Sequence, residues 1–160
     1  MIRAIRIDDA LWDSASRLRR DDWKISIADL VHEATLGEDD DHLLHIANAH
    51  HAVLLSTFDE GGAPVQALEV PHGDIKHHVD EYLAIIKRMQ SGEASDFSAN
   101  MHTLDMAKKV VHDAGAKTLA RALPELARDH ETYRRLFSLL LAVVVDVTKL
   151  PGAIAHRRHV

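Results

Sequence analysis

The strongest constraint on the fold is the spacing of apolar residues between Leu104 and Ala122. At 3.6 residues per turn, one side of a helix here carries Leu104, Ala107, Val110, Val111, Ala114, Thr118, Leu119 and Ala122. The other side is polar and carries His102, Asp105, Lys109, His112 and Asp113. The pattern predicts a helix that docks through its aliphatic side and leaves a polar stripe available for binding.

A second helix is predicted after Pro124, with Asp129 as its N-cap. Its run from Leu136 to Val145 is apolar on all sides and ends before Asp146. A helix that spans a bilayer needs about 20 such residues, so this run predicts the central helix of a core.

The rest of the chain separates into strands and helices. Residues 4–8, 43–47, 52–58 and 65–70 have the alternation or β-branched content of strands, and the Gly-rich turn at 59–64 predicts a hairpin. Helical spacing covers residues 9–19, 26–36 and 75–90, with Gly37 placed to end the second of these helices. The order is one strand, two helices, three strands and three helices.

Strands and helices that are segregated in this way indicate an α+β fold. We predict one domain over residues 1–148, in which a small antiparallel sheet of three to four strands packs against three C-terminal helices. The helix at 26–36 is expected beside this sheet. Residues 149–160 form a basic tail that we expect to be flexible.

Composition narrows the range of functions. The 160 residues include no cysteine, which excludes disulfides, thiolate metal sites and a cysteine nucleophile and is compatible with the cytoplasm. The formal net charge of −6 disfavours non-specific nucleic-acid binding. We therefore expect a cytoplasmic protein with no membrane partner.

Motifs for catalysis or cofactors are missing from the sequence. It contains no Gly-x-Ser-x-Gly elbow, no Gly-x-Gly-x-x-Gly loop and no Walker loop. Thirteen histidines is a high count, and His50-His51, His72 and His77-His78 cluster in the middle of the chain. However, the spacing of His42 and His45 in a strand and the adjacent pair His50-His51 place imidazoles on diverging sides. We expect no metal and no cofactor, and titration of the chain between pH 5 and 8.

The polar stripe supplies the candidate ligand-binding residues, which are Asp105, Lys109, His112, Arg134 and Arg135. In this hypothesis Asp105 orients Lys109, His112 donates to an acceptor, and the two arginines add charge from the next helix. The partner is a protein or a small anionic ligand, and a homodimer is compatible with the pattern. The alternative is a solvated helix face with no binding role.

Two other functions stay open. Residues 5–34 resemble a ribbon-helix-helix DNA-binding unit, with Arg3 and Arg6 as the DNA-facing side chains, although the expected glycine between the helices is missing. In the alternative, Ile5 and Ile7 pair into the sheet of the hairpin. The second function is a small enzyme that uses His112 as a general base. We expect a non-catalytic binding or regulatory module.

An ordered set of residues resembles Uncharacterised Protein Family 0262, a group of small alphaproteobacterial proteins with no assigned activity. The resemblance lies in Leu104-Asp105-Met106, Lys108-Lys109, His112-Asp113, Gly115, Leu119, Asp129, Thr132 and residues 134–137, with Glu60, Gly62 and Glu81-Tyr82 upstream. The family usually has asparagine at the position of Asp113 and arginines at Lys108 and Lys109. The resemblance implies a shared fold and no mechanism.

Overall fold

The computed structural model describes residues 3–33, 43–91, 97–124, 126 and 129–146. Its elements are β1 (Ala4–Ile7), α1 (Asp9–Ser14), α2 (Arg17–Glu33), β2 (Leu43–Asn48), β3 (Ala52–Phe58), β4 (Pro64–Pro71), α3 (His72–Ser91), α4 (Phe97–Ala122) and α5 (His130–Val144). The predicted α+β class is confirmed. The predicted tail at 149–160 and the helix stop at Gly37 lie outside the described residues.

The sheet contains four strands in the order β1-β2-β3-β4. Strands β2, β3 and β4 form the predicted antiparallel meander. The prediction is wrong for β1, which runs parallel to β2 and aligns Ile5 with Leu44 and Ile7 with Ile46. Helices α1 and α2 connect these two strands, and such a crossover returns the chain to pair in the same direction.

The hairpin turn between β3 and β4 follows from its residues. Gly62 has a φ of 85°, a left-handed conformation that glycine adopts without a steric penalty. The Asp59 carboxylate accepts a hydrogen bond from the backbone N–H of Ala63 at 2.8 Å. These two features close the turn and set the register in which β3 and β4 pair.

The break between the first two helices lies elsewhere than predicted. The sequence predicts helices at 9–19 and 26–36, with the break between them at residues 20–25. α1 ends at Ser14, and α2 begins at Arg17 and continues through residues 21–24. The Ser16 hydroxyl accepts from the backbone N–H of Arg19 at 3.2 Å, as an N-cap does. Trp23 is fully buried, so tertiary packing holds the polar segment around it in the helix.

The core lies between one face of the sheet and the helices. On that face Leu44, Ile46, Val53 and Leu55 are fully buried, following the alternation along β2 and β3. Residues 136–143 of α5 are all buried, which confirms its predicted place as the central helix. Nowhere among the described residues is there a helix long and apolar enough to cross a membrane.

Candidate functional site

Helix α4 buries a different line of residues from the one that its spacing predicts. Ala107, Val111 and Leu119 are buried, whereas Val110 is 53% exposed. Ala122 is also exposed. The predictions for Val110 and Ala122 are therefore wrong, because the buried side is centred on the line through Ala107, Val111, Gly115 and Leu119.

Gly115 explains where this buried side lies. A Cβ atom at this position would come within 2.4 Å of ring carbons of Phe137 on α5. Glycine therefore permits α4 to approach α5 closely enough for the phenyl ring to lie against the α4 backbone. The rings of His112 and His78 meet Phe137 edge-on, with centroids at 5.9 and 5.7 Å.

His112 lies in the seam between α4 and α5 and is partly buried. Its Nδ1 lies 2.7 Å from the carbonyl oxygen of Lys108, so Nδ1 carries a proton and donates it. In the neutral imidazole the lone pair is then on Nε2, the atom that a general base would use. The enzyme hypothesis for His112 stays a prediction.

Asp105 and Lys109 are exposed on α4. The expected ion pair between them is not among the ion pairs of the described residues, and neither side chain bonds to another described residue. Burial, with the charge of Asp105 as a second cause, raises the pKa of Tyr82. Both charged groups are therefore exposed, and Asp105 lies near enough to α3 to act on Tyr82.

Arg134 and Arg135 belong to an ionic network between α4 and α5. Arg134 Nε lies 3.3 Å from Asp113 Oδ1, and its Nη1 donates to Glu131 Oε1 at 2.9 Å. Arg135 Nη1 lies 3.8 Å from Glu131 Oε2. Both guanidinium groups therefore have carboxylate partners within the chain.

Asp113 is the α4 member of this network. Its Oδ1 lies 3.0 Å from His130 Nε2, and this hydrogen bond is the main reason that the pKa of Asp113 is lowered. Asp113 lies on the predicted polar stripe, but its contacts with His130 and Arg134 were not predicted from the sequence. Part of this network could have been predicted from the sequence. Glu131 precedes Arg134 and Arg135 by three and four residues, which is the spacing of ion pairs on a helix.

The pair His77-His78 lies on α3, where the burial and the contacts of His78 were not predicted from the sequence. His78 is only 7% exposed, and its Nε2 donates to the Thr118 hydroxyl at 2.8 Å, which in turn donates to the Ala114 carbonyl. Its Nδ1 lies 3.8 Å from a Glu81 oxygen that is also 2.7 Å from His77 Nε2. Burial is the main reason that the pKa of His78 is lowered.

The spacing of the buried residues in α3 indicates that His78 is buried with them. It follows Ile75 by three residues and precedes Tyr82 by four, and both of these are buried. A histidine between them lies on the same face of the helix. Within the part of the chain that the structure describes, no three histidine, aspartate or glutamate side chains come together as a metal site.

The solvent side of α4 combines apolar and charged side chains. Of the four large hydrophobic side chains that are exposed in the described ranges, two are one turn apart on α4: Met106, 46% exposed, and Val110. Asp105 and Lys109 lie beside them. The other two, Leu18 and Val65, lie on different elements.

The N-terminal arginines of the DNA-binding hypothesis are engaged within the chain. Arg3 lies 3.4 Å from Glu60, and Arg6 lies 3.6 Å from Asp9. β1 is hydrogen-bonded to β2, which confirms the alternative that Ile5 and Ile7 join the sheet of the hairpin. These observations favour a structural role for the N-terminal strand.

The sequence of this chain matches a known protein family. The model of the Uncharacterised protein family (UPF0262) matches residues 1–146. A UPF0262 protein of Acidiphilium cryptum is 24% identical over 147 residues, covering 89% of this chain and 91% of the relative. One from Paracoccus denitrificans is 26% identical over 150 residues, covering 88% and 93%. No solved structure matches.

Proposed function

Because this chain belongs to Uncharacterised protein family UPF0262, which supplies no activity to transfer, we propose a function from the surface of α4. The protein is a cytoplasmic, non-catalytic binding module that docks a protein partner through the α4 docking face. This face consists of Asp105, Met106, Lys109 and Val110.

The observation that carries the proposal is the exposed apolar pair on this face. Met106 and Val110 are 46% and 53% exposed and lie side by side on consecutive turns. Protein interfaces combine an apolar centre with a polar border, and adjacent exposed apolar side chains favour such a site. Asp105 and Lys109 provide that border.

Charges of both signs favour a protein over a small anion as the partner. Asp105 repels an anion, and Lys109 lacks the two-pronged geometry with which arginine binds phosphate or carboxylate. Arg134 and Arg135, which the sequence analysis included in the site, are occupied by Glu131 and Asp113. We assign them, with His112, to holding α4 against α5 behind the docking face.

Site-specific photo-crosslinking tests the proposal. A photoreactive phenylalanine analogue replaces Val110 in one variant and Val65 in a control, and both are expressed in an alphaproteobacterial host. Val65 is a matched control because it is 46% exposed but lies on β4. We expect a discrete protein adduct from position 110 and none of the same mass from position 65.

A charged variant tests whether the adduct depends on the apolar pair. Met106→Lys should abolish the adduct that forms from position 110, because a buried ammonium without a counter-charge disfavours the interface. An equal yield from positions 110 and 65, or no adduct from either, would contradict a docking role for α4.

A further inference from the structure

Between Asp105 and Lys117, the charges on the solvent side of α4 alternate at every fourth residue. Asp105, Lys109, Asp113 and Lys117 follow one another at intervals of four residues, and all four are exposed. We call them the charge row. Residues four apart form an oblique ridge on a helix, and the neighbouring ridge carries Met106 and Val110.

The alternation produces no direct ion pair along α4, although the charge of Lys117 contributes to the lowered pKa of Asp113. Acid and base four residues apart commonly pair within a helix. Yet none of the ion pairs in the described part of the chain joins two members of the charge row. Asp113 instead reaches His130 and Arg134 on α5, while Asp105, Lys109 and Lys117 are exposed and form no ion pair with other described residues.

The charge row is complementary to its own reverse. Read backwards, acid-base-acid-base becomes base-acid-base-acid. A second α4 in the antiparallel direction, with the two-fold axis midway between Lys109 and Asp113, therefore sets every acid opposite a base. Asp105 then faces Lys117 of the second copy, and Lys109 faces its Asp113. A parallel copy in register sets like charges opposite one another.

We propose that the partner of the α4 docking face is a second copy of this chain, packed antiparallel through α4. This inference rests on the proposed function and names its partner. The two charge rows align when the ridges of residues four apart interdigitate, the commonest class of helix packing. The same ridge geometry brings Met106 and Val110 of both copies toward the two-fold axis, so that the exposed apolar pair is covered.

A charge swap at the ends of the row tests the inference. Asp105 and Lys117 are exposed and form no hydrogen bond or ion pair with other described residues, so replacing them removes no bonded contact within the described chain. The variants are Asp105→Lys, Lys117→Asp and the double D105K/K117D. Lys87→Asp is the control, since Lys87 is exposed on α3. The dissociation constant is measured by sedimentation velocity.

The wild-type chain and the Lys87→Asp control should dimerise with equal affinity. Each single variant sets two like-charged pairs across the two-fold axis and should raise Kd by about tenfold or more. The double variant should recover the wild-type Kd. Wild type and double variant are then mixed in equal amounts. Native mass spectrometry should show heterodimer well below the half of all dimers that random pairing gives, because like charges face each other in the heterodimer.

Two results would overturn the inference. The first is a double variant that dimerises no better than the singles. The second is a chain that stays monomeric up to millimolar concentration. If that monomer still gives a position 110 adduct with a protein of another mass, self-association is wrong and the proposed docking role stands. If it gives no adduct, both are wrong.

Discussion

At the scale of single residues, Gly115 determines how closely two helices approach. A Cβ atom there would overlap the Phe137 ring at 2.4 Å, so Gly115→Ala must displace the ring or separate α4 from α5. We expect the substitution to lower the free energy of unfolding by about 1–3 kcal/mol, the usual cost of overpacking. Urea denaturation followed by circular dichroism measures this change.

Gly73→Ala is the matched control for Gly115→Ala. Gly73 also lies in a helix, but a Cβ at this position has no heavy atom within 4 Å. The added methyl should leave stability unchanged or raise it slightly, because alanine loses less backbone entropy on folding. Equal effects at both positions would mean that the contact with Phe137 does not constrain α4.

His78 should make the stability of the fold depend on pH. Burial lowers its pKa in the folded chain, whereas in the unfolded chain the imidazole titrates near 6.5. Between the two values the unfolded state binds more protons, so the free energy of unfolding falls as pH decreases through this window. Burial outweighs the opposing effect of Glu81, while His77 and Arg121 lower the pKa further.

His78→Gln should reduce this dependence on pH, because glutamine can donate to Thr118 and does not titrate. The measurement is the free energy of unfolding at pH 7.5 and 5.5 for both chains. His102→Gln is the control, since His102 is exposed on α4 and is not among the groups that act on His78. A slope unchanged by His78→Gln would assign the pH dependence to other groups.

At the scale of elements, both ends of the central helix α5 are capped. Asp129 accepts from the backbone N–H of Thr132 at its start. At its end Arg19 donates to the carbonyls of Ala142 and Val143 at 3.1 and 3.0 Å, and Trp23 Nε1 donates to Ala142 at 2.9 Å. Helix α2 thus satisfies the last carbonyls of α5.

Arg19→Met should destabilise the fold through this helix end. Methionine keeps an apolar stem but removes two charge-assisted hydrogen bonds and a cation at the negative end of the helix dipole. The expected loss is about 1–2 kcal/mol in the free energy of unfolding, measured by urea titration. Arg17→Met, on the same helix at an exposed position, should change it by less than about 0.5 kcal/mol.

Helices and strands with a clear period were predictable from the sequence. The β2-β3-β4 meander, the Asp129 cap and the core position of α5 follow from alternation, capping chemistry and an apolar run. The break between α1 and α2 was not predictable from the sequence, because the burial of Trp23 determines its position and local helix propensity does not. The direction of β1 was not predictable either, because it depends on the path that α1 and α2 take between β1 and β2.

The candidate site was predictable only in part. Spacing identified the helix and the exposure of Asp105 and Lys109. It did not predict that Val110 faces solvent, since a valine contributes equally to any apolar stripe and the close approach at Gly115 sets the rotation of α4. Nor did it predict the burial of His78, because a polar residue within an apolar stripe is identified as buried only once its partner Thr118 is in place.

At the scale of the whole molecule, the buried cluster joins the sheet and all three C-terminal helices to α2. We therefore expect one cooperative unfolding transition. Both tryptophans lie in α1 and α2, so their fluorescence reports the N-terminal helices, while circular dichroism reports mainly α3, α4 and α5. The two signals should give the same urea midpoint. Separate midpoints would contradict the predicted single domain.

The parallel pairing of β1 has a consequence for how the chain is made. Its partner β2 begins at Leu43, so β2 is synthesised only after β1 and the helices α1 and α2. β1 must therefore wait for its neighbour, and closing that long loop costs entropy before any pairing offsets it. Translation imposes an interval in which the apolar side of β1 is unprotected, and chaperones that bind emerging chains would meet it during that interval.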